Sequence, residues 1–199
     1  MAIGTQILTT TLLAGIGPES RKETAEAASS PRSLARSAAE GSIEAFEELV
    51  GQFENRIYAF LFRMLGNAHD AQDLTQETFV RAWRGIRRFD PSREFATWIF
   101  VIARRTAANH FRSRRAHDEL PEDLMAPDGA SAVADDESAA LWKAARGLKP
   151  KQYEALWLHY AEDFSVGETA RVMGLTTIHV KVILHRARKE LARHLKRPL

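Results

Sequence analysis

The chain has 199 residues, 45% of them hydrophobic and 27% charged, with a formal net charge of +2 at pH 7. This is the composition of a soluble globular protein with one domain or two small ones. There is no cysteine, which excludes disulfides, cysteine metal sites and thiol redox sensing.

Residues 1–40 read as a separate extension, disordered or weakly helical, because residues 17–39 are rich in alanine, serine and charge. The apolar run at residues 7–13 is too short and too threonine-rich to cross a bilayer. No basic residue precedes it, so neither membrane insertion nor a secretory signal is expected, and a cytoplasmic protein is. Ser42 is the expected N-cap of the first main helix. Behind it Ile43, Phe46, Leu49, Val50, Phe53, Ile57, Phe60, Leu61 and Met64 form one apolar stripe that ends near Gly66.

Asn67 is expected to cap a second helix, in which Ala71, Leu74, Phe79, Ala82, Trp83 and Ile86 recur at helical spacing. Its other face carries Asp70, Asp73, Gln76 and Glu77. Pro91 interrupts the pattern in the loop Phe89-Asp90-Pro91-Ser92-Arg93. A third helix follows, with Phe95, Trp98, Ile99, Ile102, Ala103, Thr106 and Phe111. Three such stripes bury one another in a bundle, with Phe46, Phe53, Phe60, Phe79 and Trp83 as its expected aromatic core. Charge is split along this bundle. Residues 42–80 hold seven acids and two arginines, whereas residues 104–115 hold five arginines and no acid. An acidic helix repels phosphate but can meet a basic protein surface. An arginine-rich helix interleaved with Asn109, His110 and Phe111 can hold a nucleic-acid strand by charge and stacking. Ordinary solvated faces are the simpler account, and they compete most strongly for the acidic side.

Residues 117–137 contain eight acids, no lysine or arginine, and Pro121, Pro127 and Gly129. Residues 116–138 therefore read as a flexible acidic linker. Beyond it, Leu141, Trp142, Ala145 and Leu148 predict a short helix. Pro150 starts the next, with Tyr153, Leu156, Trp157 and Tyr160 as its buried face. Ser165 and Glu168 form a capping box before Ala170, Val172 and Met173. Gly174 turns the chain, Thr176 or Thr177 caps the last helix, and Val180, Ile183, Leu184, Ala187, Leu191 and Leu195 run down one side of it. Residues 181–197 hold seven lysines or arginines and one acid, Glu190. A short helix, a glycine turn and a longer basic helix have the spacing of a helix-turn-helix, although inert helical hairpins share it.

DAQDLTQETFVRAW and FDPSREFATWIFVIARRTAANHF resemble region 2 of bacterial RNA polymerase sigma factors of the extracytoplasmic-function type. LKPKQYEALWLHYAEDFSVGETARVMGLTTIHVKVILHRARKEL resembles region 4 of the same class. The resemblance runs, with interruptions, over residues 42–197. It implies an all-α chain: a three-to-four-helix region 2 bundle over 41–115, a flexible linker over 116–138, and a region 4 domain over 139–199, a four-helix, winged-helix-like helix-turn-helix. It implies no active site and no cofactor. Such a protein binds core RNA polymerase and directs promoter recognition, DNA melting and transcription initiation. Matched by position, Asp70, Asp73, Gln76 and Glu77 would meet a coiled coil on the largest polymerase subunit. Asp90, Ser92, Arg93, Trp98, Arg105, Asn109 and Arg112 would capture the melted −10 strand, although the phase of Trp98 with Phe95 and Ile102 also fits the core. Thr176, Thr177, His179, Lys181, Val182, His185, Arg186 and Arg188 would meet the −35 duplex of promoter DNA, with Thr177 and Arg188 on phosphate. An anti-sigma partner is implied as well.

Departures from the family pattern cluster in the last helix. The usual run resembles T-V-K/R-S-R-L-x-R-A-R. Here His179 stands for the threonine, and Val182 and Ile183 stand for the small polar and basic pair. A hydrogen-bonding group and a positive charge are thus expected to be missing from the groove face. Two other classes compete with the resemblance. A free-standing helix-turn-helix regulator would bind duplex operator without polymerase. An enzyme acting on nucleic acid would need a catalytic constellation, but His69, His110, His117, His159, His179, His185 and His194 are scattered, with no H-E-x-x-H helix and no phosphate loop.

Overall fold

A computed structural model describes residues 30–115 and 136–196. All regular elements among the described residues are helical. Residues 1–29 of the expected extension and residues 116–135 of the expected linker lie outside the described residues. In chain order the helices are α1 (Pro31–Ala39), α2 (Ile43–Leu65), α3 (Ala68–Gly85), a short 3-10 turn (Ile86–Arg88), α4 (Phe95–Arg115), α5 (Asp136–Ala145), α6 (Pro150–Leu156) leading into a π turn (Trp157–Ala161), α7 (Val166–Met173) and α8 (Thr177–Lys196).

Local chemistry sets the ends of these helices. The Ala45 amide donates to the Ser42 hydroxyl at the start of α2, and Gly66 closes that helix at φ 75°, where a Cβ would be strained. Asn67 Oδ1 accepts from the amides of His69 and Asp70 at the start of α3. Phe53 then meets Phe95 at 5.2 Å and Phe60 meets Phe100 at 5.2 Å, which locks α2 onto α4. Ala71, Leu74, Phe79 and Ala82 bring α3 into the same core.

Residues 31–39 do not follow the expectation of a disordered or weakly helical extension. Ser30 caps α1, Pro31 takes the first turn, and Leu34, Ala35 and Ala38 are buried against the bundle. Arg32 also pairs with Glu94 at 2.6 Å. The apolar spacing 34, 35 and 38 is short, and its worth depends on a ready-made surface provided by other helices. A second difference lies in the C-terminal half. The wider π turn, closed by the Glu162 amide on the Trp157 carbonyl at 3.2 Å, shifts the helical phase. Leu158 is therefore buried and Tyr160 points to solvent, the reverse of the regular helical expectation.

The two halves of the chain pack against each other. Phe164 meets Phe100 edge-on at 5.1 Å. Arg56 Nε donates to Glu162 at 2.8 Å, Arg104 Nε donates to Glu154 at 2.6 Å, and the Thr97 hydroxyl donates to Glu168 at 3.1 Å. The Arg63 guanidinium lies 3.6 Å from the centre of the Trp157 ring. Asp163, at φ 56°, bends the backbone so that Glu162 and Phe164 on either side of it are both buried. Replacing Leu34 with alanine should loosen α1 selectively, at a cost of ~2–3 kcal/mol. Hydrogen exchange should speed up in α1 before it does in α2 or α4.

Candidate functional site

Helix α4 presents three faces to three different surroundings. Phe95, Ile99 and Ala103 are buried in the N-terminal bundle. Thr97, Phe100 and Arg104 meet the C-terminal half. Arg105, Asn109 and Arg112 recur at helical spacing on the remaining side and are exposed. Trp98 shares that side but is half-buried, with its ring 5.1 Å from Phe89 and 5.6 Å from Phe95. It sits at the root of the arginine face, flanked by the loop before α4. In that loop the Ser92 amide donates to Asp90 Oδ1 at 2.9 Å, and Arg93 Nε lies 3.3 Å from Asp90 Oδ2. Hydrogen bonds from the Ser92 hydroxyl and amide, with Arg93 adding charge, hold the Asp90 carboxyl below the usual carboxylate range. Ser92 and Arg93 remain exposed. Together these residues form a cationic strip beside an aromatic cluster, the pairing that suits single-stranded nucleic acid.

The acidic residues of α3 are not equivalent. Asp70 turns back on α4, 3.4 Å from Arg114 Nη1 and 3.6 Å from His110 Nε2. Asp73 pairs with His69 at 3.1 Å and Glu77 with Arg81 at 2.6 Å, while Gln76 is exposed. Beside Gln76 an open groove of about 970 Å³ runs between α2 and α3, floored by Phe46, Phe79 and Thr75. Val80 and Trp83 rise from its α3 side with 43% and 39% exposure, and Val50 and Tyr58 line it from α2. Trp83 is therefore not the core residue its spacing suggests. Its ring rests on Phe46 at 5.0 Å and leaves the other face open. The polar rim of this groove was readable from the sequence, but its apolar body was not. The one available signal was Val80, an apolar residue out of phase with the stripe.

In the C-terminal half, Ser165 and Glu168 form the expected capping box, and Gly174 turns the chain at φ 64°. Burial alone would raise the Glu168 carboxyl, but hydrogen bonds from Ser165 and Thr97 outweigh it and hold the group below its ordinary value. The Thr176 hydroxyl accepts from the His179 amide at 3.2 Å and so caps α8. Val180, Leu184 and Ala187 are buried beneath α8. Thr176, Thr177, His179, Lys181, Val182, His185 and Arg186 are exposed. Arg188 is exposed as well, and its Nε bends back to the Leu184 carbonyl at 3.3 Å. Ile183 is only 7% exposed. It faces the domain interior, so the positive charge expected to be missing from the groove face is not missing there. His179 and Arg186 also line a largely basic cleft with Lys149, Lys151, Lys189 and Arg193.

Residues 49–117 match the family model for Sigma-70 region 2, and residues 138–191 match that for Sigma-70 region 4. The chain is 36% identical over 168 residues to the ECF RNA polymerase sigma factor BldN of Streptomyces coelicolor, an alignment covering 80% of this chain and 64% of BldN. It is 32% identical to the RNA polymerase sigma factor CarQ of Myxococcus xanthus, over 76% of this chain and 90% of CarQ. Its structure is similar to that of the sigma factor RpoE of Bartonella quintana in complex with the anti-sigma factor NepR. That match has a TM-score of 0.65 and 25% identity, and covers 77% of this chain and 98% of the other.

Glu154 is a buried titratable group at the contact between the halves, paired with Arg104 at 2.6 Å. Burial raises its carboxyl above the ordinary glutamate value, and Arg104 and then Lys151 only partly offset this. The closed arrangement therefore favours the protonated Glu154 carboxyl more than the parted halves do. Glu154's contribution to closure is full below the ordinary glutamate value and is lost as pH rises through the raised one. Small-angle scattering should show the radius of gyration increasing over that window, and Glu154→Gln should flatten the response.

Proposed function

The chain belongs to the extracytoplasmic-function sigma factors of RNA polymerase, and from that premise we propose how its surfaces divide the work of promoter recognition. The groove between α2 and α3, with Gln76, Val80 and Trp83, takes the helices of core polymerase. Asp73 and Glu77 on its flank steer encounter and register more than they add affinity. The loop at Asp90, Ser92 and Arg93 and the strip of Arg105, Asn109 and Arg112 receive the melted −10 strand. There, base stacking is worth ~1–3 kcal/mol per base. Asp70, on the same polar side of α3, is also tied to Arg114 and orients the end of α4. The exposed N-terminal half of α8 enters the −35 major groove, with Lys181, His185 and Arg186 toward base edges and Thr177 and Arg188 toward phosphate. The protein has no chemistry of its own. Polymerase supplies it, and the protein works in the cytoplasm where the polymerase is.

The observation that carries this reading is the separation of three exposed surfaces, one amphipathic and two cationic, on helices whose remaining faces are buried. Distance adds a condition. By the positions they are named for, the −10 and −35 elements lie roughly 25 base pairs apart, or roughly 85 Å of duplex at ~3.4 Å per step. A compact chain of this length has a radius of gyration of only ~16 Å. Parting of the two halves would let both elements be held at once. Residues 116–135 provide twenty residues of chain, with a reach of ~65–70 Å when extended. The B. quintana protein was solved with an anti-sigma factor, and a partner of that kind for this chain would act by holding the closed arrangement and covering its polymerase groove.

Run-off transcription with bacterial core polymerase tests the reading. Transcripts that need both this chain and shared −35 and −10 sequences are expected. A tight operator footprint by the chain alone would favour a free-standing regulator. Val80→Asp should weaken core-polymerase binding by roughly tenfold to a hundredfold, with helical circular dichroism unchanged because the side chain is exposed. Arg105→Ala with Arg112→Ala should reduce the salt dependence of promoter binding by about one unit of slope per lost phosphate contact.

A further inference from the structure

Two aliphatic side chains stand uncovered at the leading end of α8. Ile178 is 75% exposed and Val182 is 41% exposed. They are four residues apart, so they sit one above the other on the same face. Val180, Leu184 and Ala187 bury the opposite face, which leaves the pair on the crest of the helix. Both fall within its first two turns, the part of a recognition helix that reaches base edges. Exposed Lys181, His185, Arg186 and Lys189 surround them.

This is an apolar crest inside a cationic rim, carried on one convex helix. A DNA major groove is its complement. The groove is about 12 Å wide, phosphates form its walls, and the apolar group on its floor is the C5 methyl of thymine. Val182 has no hydrogen-bonding atom beyond its backbone, so it can discriminate bases only through shape and apolar contact. The inference rests on the promoter reading above: we infer that Ile178 and Val182 read thymine methyl groups in the −35 duplex. Apolar contact there replaces the polar readout that these positions lack.

The test uses the full chain bound to core polymerase. Run-off transcription and footprinting first define the −35 element. Each thymine in it, on either strand, is then replaced singly by deoxyuridine, which deletes only the methyl. At one thymine or more, affinity should fall about fourfold, the worth of one buried methyl-sized group. Val182→Ala or Ile178→Ala should weaken binding to thymine DNA by a similar factor and show no further loss on the matching uracil DNA. Both side chains are exposed, so neither variant should affect folding. Val182→Thr, which keeps one methyl, should retain part of the discrimination. Uracil tolerated at every position of a functional −35 element would overturn the inference. So would variant losses of equal size on thymine and uracil DNA, since the side chains would then be gripping something else, such as a protein partner. If no −35-dependent transcription arises with core polymerase, the promoter reading itself falls and takes this inference with it.

Discussion

The constraint on which the structure depends is that α4 has to satisfy three neighbours at once. A helix turning every 3.6 residues can carry three stripes only if each is narrow. Phe95, Ile99 and Ala103 make the first, Thr97, Phe100 and Arg104 the second, and Arg105, Asn109 and Arg112 the third. Phe100 joins two of these roles. It is fully buried, touching Phe60 of the bundle on one side and Phe164 of the C-terminal half on the other. The strip of Arg105, Asn109 and Arg112 stays exposed because apolar contact on the second stripe stops short of it.

The contact between the halves differs in kind from either core. Around the Phe100–Phe164 pair it is built from charged and polar bonds: Arg56 to Glu162, Arg104 to Glu154 and Thr97 to Glu168. Within the C-terminal half, the Trp157 indole N–H donates to Glu162 at 3.1 Å and helps to fix the carboxylate that Arg56 meets. Burying such ions costs much of what their attraction returns, so they specify an arrangement more than they stabilise it. Water can replace each of these partners when the halves separate, whereas it cannot replace Phe53 against Phe95. A contact of this composition can open without disturbing either apolar core.

The two faces of α8 follow the same economy of stripes. The inner one is aliphatic and fully enclosed. The outer one combines cations with the exposed aliphatic pair Ile178 and Val182. The groove between α2 and α3 shows a similar mixture, with Trp83 and Val80 open beside Gln76 and Arg84. In both places exposed apolar area is bordered by polar residues, which is the usual composition of a contact surface.

Much of this was legible in the sequence. Helix periods, the Ser42, Asn67 and Ser165 caps and the glycine turns at Gly66 and Gly174 depend on neighbours in the chain, and local chemistry decides them. The helix-turn-helix, and the exposed arginine face of α4, could be read for the same reason. What tertiary structure alone decided is which side of an apolar residue meets another helix. Trp83 has the spacing of a core residue and lies at a groove rim, because Phe46 covers only one face of its ring. Ile183 occupies a position that looks groove-facing by alignment, yet packs inward. Tyr160 is displaced outward by a π turn that no spacing announces. The docking of α1 and the closure of one half on the other depend on surfaces far apart in the chain, and Arg56 and Glu162, 106 residues apart, become partners only once both are folded.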